Sequence, residues 1–377
     1  MSFVSGINVK FTKVFHICFE QNIPFVAYLL PGSNDLIIAI QYKSLPRKIN
    51  LSELPKCKGF IVAPFDLYNH LPVWLLEPDM LLNAEVSDEQ LSALRNVELF
   101  RNMNKAQCTV LSTTKEQYTL KVSEGKKKIA GQSFEKYVLS RALVESVHEE
   151  FDPSLFLELV HKAYPNTLRY VLNIPGAGCW MGATPEPLVS VKDNNVEITS
   201  LAGTQKLSGN LVDDISWGTK ELIEQRFVTN YIEESIKKFG ETEYTIDGPH
   251  NFRAANVVHL KTVFNIRSRN IIAKLGDFVK EIHPTPSVCG LPKQAALAYI
   301  KSVENHSREY YSGFLGPVNL MEETQLFVNL RCMQWTAQHF VFYAGAGITA
   351  GSDPELEWEE TNQKLVAMRS IIQQTKK

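Results

Sequence analysis

The chain has 377 residues, 44% of them apolar and 21% charged, with a formal net charge of −2. That size suits one large domain or two ordinary ones, and the balance is that of a soluble globular protein. The near-neutral charge gives no reason to expect nucleic acid or an anionic membrane as a partner, and no apolar run reaches the length of a membrane span. The opening residues, MSFVSGINVKFTK, lack a basic-then-apolar secretory signal. Six cysteines (Cys18, Cys57, Cys108, Cys179, Cys289, Cys332) are scattered without a CxxC pair. That argues against a zinc site or a disulfide framework, and for reduced thiols in a cytoplasmic protein.

Residues 1 to about 80 read as β-rich. PFVAYLL, DLIIAIQY and KGFIVAPF are short apolar runs separated by Pro, Gly and Asn-Asp. Ser87 to Phe100 has the pattern of a capped amphipathic helix. Asn102 to Gly131 is polar and carries the basic run Gly125-Lys-Lys-Lys, which reads as a connector with solvated lysines. A division follows: a β-rich lobe over 1–127 and a main body over 128–377.

Ser133 to Val147 fits either a strand, with Lys136, Val138, Ser140 and Ala142 on one side, or a helix. Asp152-Pro153 opens a helix, and the strand-like runs LRYVLNI, CWMGA, LVSVK and VEITSL follow. Asp213 to Phe239 reads as a long helix with Ile223, Phe227 and Tyr231 inward and Glu224 beside them; Lys237, Lys238 and Gly240 close it. VVHLKTVFNI is a strand with His259 and Lys261 on one face. His283-Pro-Thr-Pro-Ser-Val-Cys-Gly is a stiff loop, and Pro292 starts a helix expected to reach Tyr310. QLFVNLRCMQW and HFVFYAGAG pair as a hairpin. Strands in antiparallel-looking groups with helices between them indicate an α+β fold.

The last stretch carries the most chemistry. HFVFYAGAG ends in Gly345 and Gly347, where the backbone can turn and be approached closely. Asp353 and Pro354, or Ser352 and Glu355 as a capping box, open a helix whose buried stripe is Trp358, Thr361, Leu365, Met368 and Ile372. Glu357, Glu360 and Lys364 share a face beside it. They suit a hard cation, but such i,i+4 pairs are also ordinary decoration of a solvated helix face. The glycine spacing is not the dinucleotide fingerprint, and there is no HExxH and no GxSxG. What remains is dispersed: Lys136, Glu186, Glu224, Arg331, Glu360 and Lys364. Arg331, inside an apolar strand, wants a carboxylate or phosphate, from an internal side chain or from a ligand.

Taken in order, SFEKYVLSR, GATPEPLVSV, SLAGTQ, KELIEQRFV, VVHLKT, HPTPSVCGLP, YYSGFLGPV, NLRC and AGAGITAGSDPELEWEETNQK resemble the successive motifs of the chorismate-utilising enzymes. That family includes isochorismate, anthranilate, aminodeoxychorismate and salicylate synthases, and the resemblance covers residues 130 to 375. It implies a large α+β chorismate-binding fold with two facing antiparallel sheets flanked by helices, and a cleft holding Mg²⁺ and chorismate. By resemblance Glu224 and Glu360 are the Mg²⁺ carboxylates, and Arg331 pairs with the carboxylate of the enolpyruvyl arm. Gly203, Thr204, His259, Tyr311, Gly345 and Gly347 help seat the substrate, and Lys364 balances the acids. Lys136 matches the lysine of water-adding members, a base that must act in its neutral form although a free lysine titrates at about 10.4. Glu186 matches the acid that protonates the departing C4 hydroxyl, which requires a raised pKa.

Other branches fit less well. Ala202 stands where aminodeoxychorismate synthases carry a nucleophilic lysine, and the HPTPSVCG loop is of the isochorismate synthase kind. Pro187 after Glu186 and Gln225 after Glu224 depart from the usual leucine and histidine. The resemblance therefore implies a cytoplasmic, monomeric, Mg²⁺-dependent isochorismate synthase of menaquinone or siderophore type. The alternatives are a salicylate synthase, or a chorismate-binding regulator without activity.

Overall fold

The computed structural model describes residues 9–83, 85–100, 109–147, 151–206, 215–254 and 257–375. Among these, the named strands form two nine-stranded sheets, every neighbouring pair antiparallel. The first sheet runs, edge to edge, Gly290–Leu291, Lys136–Ser146, His339–Ile348, Cys332–Trp335, Gly178–Thr184, Leu168–Ile174, Phe25–Leu29, Ile37–Ile40 and Met80–Leu82. The second runs Thr245–Ala254, Val257–Arg267, Asn195–Lys206, Pro187–Lys192, Thr324–Val328, Phe314–Val318, Gly59–Ala63, Val73–Leu76 and Arg47–Ile49.

The apolar runs are continuous because these strands are buried on both faces. In Phe25–Leu29 the alternation sends Val26 and Tyr28 into a core shared with Phe60, Leu315 and Phe327 of the other sheet. Phe25, Ala27 and Leu29 point outward, onto helices Val9–Glu20 and Pro153–Ala163. Helix Pro354–Thr375 covers the same outer face through Leu365, Met368, Ile371 and Ile372. The outer face of the second sheet is covered by helices Thr219–Lys238, Leu275–Ile282 and Lys293–Val303. The expected two-sheet α+β architecture is thus the observed one.

Several local expectations need correction. The β-rich start is preceded by helix Val9–Glu20, whose Phe11, Val14, Phe15 and Cys18 are buried. The 1–127 stretch builds no sheet of its own: it contributes three strands to each. The connector contains helix Lys115–Ala130, opened by a capping box of Thr114 and Gln117. Its buried Gly125 packs so closely on Tyr137 that an added Cβ would lie 2.0 Å from the phenolic oxygen. Lys127 and Lys128 are exposed, as expected. Strand Thr245–Ala254 and the helices Arg269–Ala273 and Leu275–Ile282 were absent from the sequence reading.

Helix Thr219–Lys238 buries Gln225, Val228, Ile232, Ser235 and Ile236, while Ile223 is 46% exposed. The buried stripe is therefore one position out of phase with the expected Ile223, Phe227 and Tyr231. The Pro292 helix ends at Val303, not Tyr310. QLFVNLRCMQW is two strands, not one: Thr324–Val328 lies in the second sheet and Cys332–Trp335 in the first. Only the latter pairs with His339–Ile348. The break is at Arg331, whose φ of 46° no strand residue adopts. The ambiguous Ser133–Val147 is a strand from Lys136 to Ser146, and His148 lies outside the described residues.

Candidate active site

The chain passes from one sheet to the other at two points that matter. Thr184 ends a strand of the first sheet and Pro187 begins one of the second, with Glu186 between them. Val328 ends a strand of the second sheet and Cys332 begins one of the first, with Arg331 between them. Both residues line an open cleft of about 1050 Å³ together with Gly203, Glu221, Glu224, His259, Ser287, Tyr311, Gly345, Gly347, Glu360 and Lys364. Residues more than 170 positions apart in sequence meet there. Of the residues singled out from the sequence, ten line the cleft. Lys136 lies just behind it, and Thr204 continues the strand from Gly203, opposite His259.

One wall is acidic. Lys136, 1% exposed, extends its Nζ to Glu224 Oε1 at 2.5 Å. The other candidate metal acid, Glu360, pairs with Lys364 at 2.7 Å, and Lys364 also donates to Gly345 O at 2.7 Å. Asp353, not Ser352, caps the helix that carries them, accepting from the amides of Glu355 and Leu356. Among the described residues no three His, Cys, Asp or Glu side chains converge as a metal cage. Mg²⁺ needs none, because it is held by one or two carboxylates, waters and an anionic substrate. Two hard carboxylates on the cleft wall fit such an ion, and Glu221 also lines the cleft. Gln225 turns away from that wall, donating to Thr262 Oγ1 at 3.0 Å under the sheet.

Glu186, 8% exposed, is a strongly perturbed acid of the cleft. Burial pushes its carboxyl up to about 7, against the pull of a hydrogen bond from Ser287 and of Lys136 and Lys364. His259 sits behind Gly203. Its Nδ1–H donates to Gly203 O at 2.9 Å, and burial lowers the ring to about 4, so the imidazole is neutral at neutral pH. Gly203 adopts φ +68° in a bulge, and the ladder skips it between Ala202 and Thr204. Among the described residues no ion pair or hydrogen bond engages the Arg331 guanidinium, and desolvation holds its pKa below the usual value. The internal partner that was one of its two expected options is absent. Tyr311 stacks on Tyr343 at 5.2 Å, and Tyr343 on Trp180 at 5.6 Å, which makes a rigid apolar floor.

The glycine strand supplies amides. Gly345 pairs with Ser140 and Gly347 with Val138. The amides of Ser140 and Val138 are committed elsewhere, to Glu304 Oε1 and Cys289 O. Gly345 and Gly347 are therefore in non-hydrogen-bonded pairs, and their own N–H and C=O groups point off the opposite edge. The neighbouring strand pairs only as far as Phe342, so that edge opens on the cleft. Reading the sequence missed Ser287, Glu221, Val138 and Tyr343 as lining residues. Ser287, Glu221 and Val138 lay inside motifs already noted, and Tyr343 inside the HFVFYAGAG run, but none carried a signal of its own beyond residue type.

A sequence profile described as "Chorismate binding enzyme" matches residues 77–373. The chain is 29% identical over 276 residues to the salicylate biosynthesis isochorismate synthase of Pseudomonas aeruginosa, an alignment covering 71% of this chain and 57% of that protein. It is 28% identical over 267 residues to isochorismate synthase DhbC of Bacillus subtilis, covering 67% of each. The chain thus spans little more than half the length of the first relative. The structure of MenF, the menaquinone-specific isochorismate synthase of Escherichia coli, superposes with a TM-score of 0.75 at 19% identity, over 99% of this chain and 93% of that one. At that identity the likeness speaks for the fold.

Proposed function

The chain belongs to the chorismate-binding enzyme family, and from that premise we propose that it is an isochorismate synthase, converting chorismate to isochorismate by adding water at ring C2 with loss of the C4 hydroxyl. The observation that carries this reading is Glu186: a buried carboxyl poised at about 7, facing a cleft that also holds Lys364, paired with Glu360, and Arg331, which has no ion-pair partner among the described residues. An acid with that pKa keeps much of its proton at neutral pH and can still release it.

Arg331 pairs with the enolpyruvyl carboxylate, and the amide edge of Gly345 and Gly347, with Tyr311, seats the ring. Glu224 and Glu360 would hold Mg²⁺. When bound, the ion supplies positive charge opposite the ring carboxylate. Lys136 takes a proton from the attacking water, and Glu186 gives one to the departing hydroxyl, which leaves as water; one water enters and one leaves. All five described cysteines are buried, no disulfide joins them, and no helix among the described residues is long and apolar enough to cross a membrane. The enzyme proposed is cytoplasmic and monomeric, and its product would feed menaquinone or siderophore assembly.

Purified protein incubated with chorismate and Mg²⁺, with and without EDTA, tests the reading by chromatography of the products. Isochorismate that disappears with EDTA is the expected outcome. Salicylate plus pyruvate would move the protein to the salicylate branch. Unchanged chorismate despite measurable binding would overturn the catalytic reading.

A further inference from the structure

Glu186 has one side-chain hydrogen bond among the described residues: Ser287 Oγ donates to its Oε1 at 2.6 Å. Ser287 Oγ lies 2.6 Å from Thr285 Oγ1 in turn. A hydroxyl has a single proton. With the proton of Ser287 committed to Glu186, Thr285 must be the donor to Ser287. The three groups form a directional row, Thr285 to Ser287 to Glu186. The row is held stiffly: Pro284 and Pro286 restrict the loop, and Thr285 O accepts from the amides of Val288 and Cys289.

We propose that Ser287, oriented by Thr285, is a positioning residue that decides which oxygen of Glu186 carries the transferable proton. This rests on the reading of Glu186 as the acid. Oε1 is the acceptor of the row, so the neutral acid holds its proton on Oε2. Once Oε2–H has given that proton to the leaving hydroxyl, the carboxylate keeps the Ser287 bond on Oε1, now charge-assisted and stronger. The row thus favours the charged product over the neutral reactant, which is what an acid needs at the moment of transfer. The charged groups that act on Glu186 are Lys136, Lys364 and Glu224, with Arg331 from the crossover. None of them hydrogen-bonds to it in the described structure, so Ser287 is the short-range contact that the desolvating site provides.

The experiment compares wild type, Ser287→Ala, Ser287→Thr and Thr285→Val by two readouts. The first is infrared titration of the Glu186 carboxyl in the substrate-free protein, identified as the band missing from Glu186→Gln. The second is the pH profile of kcat with chorismate. Removing a donor from the charged form should raise the Glu186 midpoint by about one pH unit in Ser287→Ala. Thr285→Val should raise it by less, and Ser287→Thr should restore it. In Ser287→Ala the plateau kcat should fall roughly threefold, since a weaker acid transfers more slowly, while the alkaline limb moves up with the midpoint. A role confined to packing would lower the whole profile without moving that limb, and an unmoved midpoint in Ser287→Ala would overturn the proposal. A moved midpoint in a protein that leaves chorismate unchanged would support the row and remove only the functional reading. Turnover with an unmoved midpoint would do the reverse.

Discussion

A methyl group at Gly347 would lie 3.0 Å from Lys136 Cε and 3.3 Å from Glu224 Oε1. The contact between lysine and glutamate exists because that position has no side chain. Gly347→Ala should leave the fold intact and cut turnover at least about tenfold by displacing the pair, which circular dichroism and product assays together would reveal. Lys136→Ala and Glu186→Gln should each lower kcat by about 10²-fold or more with chorismate binding retained; wild-type-like turnover in either would remove that residue from the mechanism. Glu186 also makes a stability prediction. Its folded pKa, about 7, lies above the ordinary 4.5. The native state therefore binds the proton more tightly, and stability falls as pH rises through that window. Glu186→Gln, which cannot ionise, should be more stable than wild type by up to about 3 kcal/mol at pH 8 and no different below pH 4, measurable by denaturant titration at the two pH values. Arg331→Ala should weaken chorismate binding by at least about tenfold. Arg331→Lys should restore little of it, because the planar fork and not the charge alone matches a carboxylate; full recovery by lysine would count against a bidentate contact.

At the scale of elements, the helix Pro354–Thr375 was legible in its cap and most of its stripe, although Glu357, expected beside the stripe, is buried and Trp358, expected in it, is only half-buried. Asp353 caps it, and Thr361, Leu365, Met368 and Ile372 are buried as the three-and-four spacing required. What the spacing did not show is how the helix is fixed over the glycine strand. Arg141, 2% exposed, stacks on Trp358 with its guanidinium carbon 3.8 Å from the ring centroid, and donates to Thr361 Oγ1 at 2.7 Å and to Asn362 Oδ1. Those residues bracket Glu360. Arg141→Ala should cost about 2–3 kcal/mol of stability, through the stacked area and the orphaned partners, and, on the proposed reading, should raise the Mg²⁺ concentration needed for half-maximal turnover as Glu360 loosens. A thermal melt and a Mg²⁺ titration separate the two effects. Helix Thr219–Lys238 was legible as a helix but not in its phase. Leu222 and Ile223 are apolar yet exposed, at 45% and 46%, and polar Gln225 and Ser235 occupy the buried side instead. Periodicity weighs residues by polarity alone and has no way to see those substitutions.

For the whole molecule, the informative feature is that both sheets are built from both ends of the chain. Phe25–Leu29 pairs with Leu168–Ile174, and Gly59–Ala63 pairs with Phe314–Val318. A fragment starting at residue 128 would lose three strands from each sheet, leaving two unpaired edges and a core between the sheets without Val26, Tyr28, Phe60, Val62 and their neighbours. It should be aggregated or rapidly proteolysed where the full chain is resistant; a soluble, cooperatively melting fragment would show that the main body stands alone. The same interleaving explains the missed break in QLFVNLRCMQW. Seen locally it is one apolar run, and only the sheets to which its halves belong require the turn at Arg331.

The sequence by itself determined the class of fold, the elements with clear period and caps, and, through nine ordered motifs, the family and the candidates for its site. These are properties of short stretches, written in spacing and residue type. Tertiary structure alone decided that Glu186 and Arg331 occupy the two crossings between sheets, that Glu224 rather than solvent faces Lys136, and that Ser287 holds the acid. Each of those facts joins residues tens to hundreds of positions apart. Burial, which moves the Glu186 pKa, is a property of the surroundings and not of the residue.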